Sequence, residues 1–222
     1  MCGRFTQASP GETVAALFEL SDAPALAPRY NIAPTQDVSA VRVGAEGRRE
    51  LVRLHWGLIP SWAKDRAMGA RMINARAETL AEKPAFRGAL RSRRCLIVAD
   101  GFYEWQKVGP RKQPWFISFR DRRPFGFAGL WERWHSDGDG AIESCTIVTT
   151  TPNELIAPLH DRMPVIVGPA RFSTWLDPEQ RDAERLAALL QPHAAAAMEA
   201  YPVGLMVNNP ANDDPRCIER LA

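Results

Sequence analysis

The sequence has 222 residues, 45% hydrophobic and 24% charged, which excludes a fibrous or wholly disordered protein. Its longest apolar stretch, 187–207, is broken by Gln191, Pro192, His193, Glu199 and Pro202, so no run of about 20 apolar residues is available to cross a bilayer. The net charge of +2 hides a split: residues 1–123 carry 21 Lys and Arg against 12 Asp and Glu, or +9, and the remainder carry 7 against 14, or −7.

In chain order, a Ser-Pro start followed by Val14, Leu17 and Phe18 predicts a helix over 9–20. Alternating or β-branched runs predict strands at 38–43 and 51–56, and a Pro-led segment predicts a helix at 84–90. Strands follow at 95–99, 115–119, 125–130, 146–150 and 165–167, each bounded by Gly, Pro or Asp. The aromatic run DGFYEW also reads as a strand, with Phe102 and Glu104 on one face and Tyr103 and Trp105 on the other. Helices close the pattern at 169–176 and 178–190. Strands dominate without regular strand-helix alternation, and no linker or repeat divides the chain. The expectation is one α+β domain, 1–222, with a mainly antiparallel, barrel-like sheet and flanking helices. A leader with a basic segment and an apolar core is absent, so a cytoplasmic location is expected.

Of the 28 basic residues only Lys64, Lys83, Lys107 and Lys112 are lysine, and the other 24 are Arg, whose planar fork suits bidentate phosphate binding. A polyanion partner and a solvated basic face both fit that composition. Cys2, Cys95, Cys145 and Cys217 are too dispersed for a zinc site, and neither a metal nor a cofactor is expected. Cys95 and Cys145 sit in apolar runs as small buried hydrophobes. Cys2 differs because removal of Met1 would leave a cysteine with both a free α-amine, of ordinary pKa about 7.7–8.0, and a thiol, about 8.5. An aldehyde can condense with such an amine to an imine, which the thiolate then closes to a thiazolidine. Alternatively the thiol attacks a carbonyl with the amine as base.

Three other segments supply what either chemistry needs. Asn74 in RMINARAET, Glu104 in DGFYEW and His160 in LHDRMP provide an amide to orient the amine and two groups to move protons. A carboxylate among aromatic residues is partly desolvated, which raises its pKa. Arg4, Arg76 and Arg162 each stand two residues after Cys2, Asn74 and His160, an offset that in extended backbone puts a guanidinium on the same face as the reactive group. Among the seven Trp, Trp62 in HWGLIPSWAK is the candidate exposed wedge, with Pro34 of RYNIAP beside it, whereas Trp56, Trp105, Trp115, Trp131 and Trp175 read as core.

Taken together, MCGRF at the start, RYNIAP at 29–34, WGLIPSW at 56–62, INARAET at 73–79, DGFYEW at 100–105, HDRMP at 160–164 and VNN at 207–209 resemble the SRAP family, the SOS response-associated peptidases or abasic site processing proteins. The resemblance spans nearly the whole chain. It implies an α+β SRAP fold that binds single-stranded DNA and traps abasic sites by Schiff-base, lyase-like chemistry in the DNA-damage (SOS) response. It makes Cys2 the crosslinking nucleophile and Asn74, Glu104 and His160 the catalytic groups around it. Arg4, Arg76 and Arg162 become phosphate contacts, and Pro34 and Trp62 wedges at the lesion. A nucleoid-associated location follows, with the replication machinery as candidate protein partner. One departure is Gly204, where the family more often has Ser. Two other activities fit the same residues: a thiol peptidase that removes its own Met1, and an N-terminal-nucleophile amidohydrolase. The latter commonly draws an oxyanion donor from an Asn-Gly pair, and no Asn-Gly occurs here. A non-catalytic single-strand binder is a further alternative.

Overall fold

Thirteen strands and four α-helices form among the residues described by the computed structural model, 2–135 and 140–221. The first half contains β1 (Phe5–Gln7), α1 (Gly11–Phe18), β2 (Arg29–Ile32), β3 (Asp37–Val43), β4 (Arg49–Trp56), β5 (Asn74–Arg76), α2 (Pro84–Ser92), β6 (Arg94–Ala99) and β7 (Gly101–Val108). The second contains β8 (Arg111–Phe119), β9 (Phe125–His135), β10 (Ala141–Thr150), β11 (Met163–Pro164), β12 (Ile166–Val167), α3 (Phe172–Leu176), α4 (Ala183–Ala187) and β13 (Met198–Pro202). The ring β10-β4-β3-β6-β9-β10 closes into a five-stranded barrel, and β5, β11 and β12 pair onto its strands. A second sheet runs β13-β8-β7-β1-β2 and is antiparallel throughout. The expected barrel-like α+β architecture is therefore what these strands build.

β6 shows why the sheet reads as unbroken apolar sequence. Leu96 and Val98 pack with Phe18, Phe86 and Trp175 of the helices, while Cys95, Ile97 and Ala99 pack with Phe102 and Ile117 of the second sheet. Burial on both faces removes the polar alternation. The remaining face of the second sheet carries Tyr103, Phe116 and Tyr201 and is covered by Val207 and Cys217 of the C-terminal segment.

Parallel pairing on β10 positions the functional segment. β4 lies beside it at Ser144 and Cys145, and β5 takes the same side at Ile147 to Thr149. Residues 57–73, which carry WGLIPSW, form an excursion between these two strands. It is fastened by Gly57 N–H to the Cys145 carbonyl (2.9 Å), Leu58 N–H to the Met72 carbonyl (3.2 Å), Ile59 N–H to Ser144 Oγ (2.8 Å) and Trp134 Nε1–H to the Ala63 carbonyl (2.7 Å). Gly57, at φ +136°, passes so close to Gly69 that a Cβ on it would stand 2.7 Å from the Gly69 oxygen. Both the torsion and the approach require glycine.

Four strands escape the sequence expectation, the three-residue β1 among them. β2, β5 and β13 are short, carry polar residues, and exist because β1, β10 and β8 pair with them. The single strand expected at 165–167 is split, with Val165 between β11 and β12 and its N–H bonded to the Val148 carbonyl. The helix expected at 178–190 shrinks to α4, capped by the Asp182 carboxylate on the amides of Glu184 and Arg185 (3.0 and 3.1 Å). Its first turn is lost because Arg94, 3% exposed, draws the preceding carbonyls inward. This guanidinium donates to the carbonyls of Trp175 (2.6 Å), Gln180 (3.1 Å), Leu90 and Asp177, tying the ends of α2 and α3 to β6. Replacing it with Met removes a donor from four carbonyls, of which Asp177 keeps the Gln180 N–H at 3.1 Å. Arg94→Met is therefore expected to lower unfolding free energy by about 3 kcal/mol or more, read from the midpoint of urea denaturation.

Candidate active site

Residues from four parts of the chain meet where the second sheet adjoins the barrel. β1 sets the first of them. Phe5 lies opposite Phe102 and Thr6 opposite Gly101, and the Tyr103 N–H continues the ladder to the Arg4 carbonyl at 3.0 Å. The chain at Cys2 and Gly3 thereby runs beside Glu104. Phe102 shares a core cluster with Cys2, while Tyr103 and Trp105 belong to the cluster on the opposite face, as strand alternation requires. From the barrel, Asn74 at the start of β5 donates its Nδ2–H to the Cys2 carbonyl at 2.8 Å. Its Oδ1 is buried without a hydrogen-bond partner among the described residues. His160 ends the turn that follows β10, next to Asp161, whose charge reaches Glu104.

Burial governs the charges here. The Cys2 thiol is inaccessible and its pKa is pushed well up, first by desolvation and then by the negative field of Glu104. Glu104 is raised to about 7, mainly by burial and further by Asp161. His160 is lowered by burial, an effect that Asp161 partly offsets. Its Nδ1 accepts the Arg162 N–H at 2.9 Å and lies 2.9 Å from Asp161 Oδ1. The neutral ring is thus the Nε2–H tautomer, and the protonated ring exchanges the backbone donor for the Asp161 carboxylate. A carboxyl near 7 takes up and releases protons around neutral pH, while the imidazole, lowered by burial, is held towards its neutral form.

The three arginines at the repeated offset have different surroundings. Arg4 donates to Asn31 Oδ1 and the Val207 carbonyl, both at 2.7 Å, and lies over the Trp105 ring at 5.8 Å. Arg162 grips Glu78 with two bonds (2.7 and 2.9 Å) and the Thr149 carbonyl (2.6 Å). It follows His160 through a bend, so the extended geometry assumed for that pair is not present. Only Asn74 and Arg76 share a strand, and the Arg76 side chain is exposed. Trp62 stands 57% exposed on the excursion, and Pro34 is half-buried in the turn between β2 and β3. Trp56 and Trp175 are fully buried.

Sequence inspection missed two features. The side chains of Lys64, Arg66 and Arg71 are solvent-facing and, with Arg76, make no hydrogen bond or ion pair among the described residues, forming a run of cations from Trp62 to Asn74. Asn31, fully buried, donates to the carbonyls of Val207, Asn209 and Asn212 (3.2, 3.0 and 2.7 Å) and so binds the VNN segment to β2. Both lie within or beside quoted motifs, but free charge and long-range clamping have no local pattern. Gly204 precedes the 3-10 turn Leu205–Asn208, which consequently has no side-chain cap.

Residues 1–210 match the family described as SOS response associated peptidase (SRAP). The chain belongs to the SRAP family. It is 45% identical over 223 residues to the abasic site processing protein YoqW of Bacillus subtilis, covering 99% of both chains. It is 32% identical over 194 residues to the abasic site processing protein HMCES of Gallus gallus, covering 77% of this chain and 57% of that one. A crystal structure of a Bacteroides thetaiotaomicron protein superposes with a TM-score of 0.88 at 28% identity over the full length of both. The SRAP motifs quoted from the sequence include those that furnish Cys2, Asn74, Glu104 and His160.

The Glu104 carboxyl has a testable signature in stability. Its folded pKa of about 7 lies above the ordinary 4.5, so the native state holds this proton more tightly than the unfolded chain does. Stability contributed by that group is complete below about pH 4.5 and declines as pH rises to 7. Glu104→Gln avoids the decline. The variant is expected to gain on the parent by on the order of 2–3 kcal/mol between pH 5 and pH 8, measured as the pH dependence of the difference in unfolding free energy.

Proposed function

We propose that this chain binds single-stranded DNA and captures abasic sites covalently through Cys2 once Met1 has been removed. The observation that carries this is Asn74 bonded to the Cys2 carbonyl while the Glu104 carboxyl stands close enough to act on the thiol of the same residue. With Met1 present the Cys2 nitrogen is an amide and cannot condense with an aldehyde. Its removal creates a primary amine on a residue already anchored at its own carbonyl, the arrangement that makes an intramolecular second attack efficient. The family match and the names of the relatives support DNA abasic sites as the target.

In this mechanism a protonated Glu104 or His160 assists opening of the abasic sugar to its aldehyde. The Cys2 amine attacks C1′ and water leaves, giving an imine. The thiol then adds to the imine carbon, its proton passing to nitrogen, and closes the thiazolidine. The thiol must ionise as it attacks, and Glu104 in its carboxylate form is the nearby base. Ring closure removes the imine through which β-elimination would cut the strand. The cations Lys64, Arg66, Arg71 and Arg76 lead the phosphates from Trp62 to Asn74, with Trp62 and Pro34 as wedges against the bases. Arg4 and Arg162 contribute to phosphate binding from their internal positions. A peptidase action, if the protein has one, uses the same thiol and is directed at Met1.

Cys2→Ser is expected to bind abasic single strands but form no heat-stable adduct on a denaturing gel. A thiazolidine-mass adduct of that variant in mass spectrometry would sink the mechanism. Arg76→Ala is expected to weaken binding of intact single strands and to reduce the slope of log K against log salt by about 0.7, measured by fluorescence anisotropy between low and moderate salt.

A further inference from the structure

A cleft of about 350 Å³ opens on the Trp62 side of the barrel, away from Cys2. Its apolar walls are Ile59, Ala70 and Ile142, and its polar rim is Thr35, His55 and Arg66. We propose that this cleft is a second nucleobase site, holding one unstacked base of the strand that carries the lesion. The inference rests on the single-stranded DNA reading above and goes beyond it by giving that strand a further contact.

Three observations point to a base. The first is Thr35, whose φ of +69° is a conformation β-branched residues rarely adopt. It is held there by its N–H on the Trp56 carbonyl (2.8 Å), with the Trp56 N–H returned to Gln36 (2.9 Å). A glycine would make this turn without strain, so the fold maintains a hydroxyl at the rim against local preference. The second is the pairing of apolar walls with a hydroxyl and an imidazole, which fits a flat ring with donors and acceptors on its edge. The third is Arg66, a rim cation unpaired among the described residues and four positions from the exposed Trp62, placed to take the phosphate of the same nucleotide. Ile142 is five residues along β10 from Ile147, the partner of Asn74, which sets the cleft about 17 Å from the crosslinking centre. That separation spans a few nucleotides of an extended strand.

The test uses the Met1-free protein and an oligonucleotide with tetrahydrofuran, which cannot crosslink, at the lesion position. A second tetrahydrofuran is moved one nucleotide at a time through the flanks. Affinity is expected to fall roughly tenfold at one flanking position a few nucleotides from the lesion. Ala70→Phe fills the cleft from an exposed turn position and should bind the fully based flank roughly tenfold more weakly, with no further loss when that one base is removed. Thr35→Gly, which relieves the positive φ, should keep the parent melting temperature while losing part of the same discrimination. A flat scan with intact binding and crosslinking, or losses that add in Ala70→Phe, overturns the cleft assignment alone. A response only to bases of an annealed complementary strand overturns the assignment to the lesion strand. Absence of single-strand binding by the parent overturns the underlying reading as well.

Discussion

Everything at the site depends on how residues 2–7 are held. β1 has only three residues, yet it is an interior strand, paired to β2 on one side and β7 on the other. Its anchor is Phe5, edge-on to Trp56 at 5.1 Å and to Phe127 at 5.8 Å, so one side chain locks the second sheet to the barrel. A slip of one residue would carry Phe5 out of this aromatic cluster and turn Cys2 to the opposite face. The hydrophobic penalty for that slip is what fixes the register, and the register is what puts Cys2 beside Glu104. The Asn74 bond to the Cys2 carbonyl adds a second point of restraint from the barrel side.

Such a placement makes the thiol and the carboxyl electrostatic antagonists. Both are buried, and the field of Glu104 disfavours ionisation of the thiol, while Glu104 itself, near 7, is divided between acid and carboxylate at neutral pH. An ammonium on Cys2 would favour the carboxylate form by offering Glu104 a counter-charge at the residue it adjoins. Under the proposed function, processing of the N-terminus therefore does two things at once. It supplies the nucleophilic amine, and it favours the carboxylate form of Glu104, the base able to receive the thiol proton.

How much of this was legible in the sequence follows the range of the interactions. β6 and the face alternation of Phe102, Tyr103, Glu104 and Trp105 depend on local pattern, and they appear in the fold as read. The residues Cys2, Asn74, Glu104 and His160 could be named because the chemistry restricts the residue types that serve it. β5 could not be foreseen, since Asn-Ala-Arg is a strand only because Ile147, Val148 and Thr149 pair with it. The shortened α4 was equally hidden. Arg94 and the Asp177 carbonyl it bonds stand 83 residues apart, a separation no local pattern spans, and the two meet only when α3 packs on β6.

Arginine content shows the same division most clearly. An excess of Arg in the first half suggested a polyanion partner, but much of it has internal work. Arg94 caps helix ends, Arg4 and Asn31 hold the VNN segment, Arg42 pairs with Glu50 and Glu143 while lying over Trp131 at 4.4 Å, and Arg49 bonds the Phe18 carbonyl and Ser173. The planar fork suits multiple carbonyls and carboxylates as well as it suits phosphates. Arg162 is intermediate, since Glu78 presents two oxygens where a phosphate would, and Arg162 in turn keeps the Glu78 carboxyl ionised below its ordinary pKa. A phosphate reaching Arg162 must displace that carboxylate, and the net gain is only the difference between two anions. Arg76 also lies in the field of Glu78, whereas Lys64, Arg66 and Arg71 have no such competitor among the described residues, so attraction for a polyanion is concentrated on the excursion between β4 and β5. Under the proposed function, the segment that Gly57 and Gly69 pinch into place is the part of the fold that recruits the strand, and the clamped N-terminal segment is the part that reacts with it.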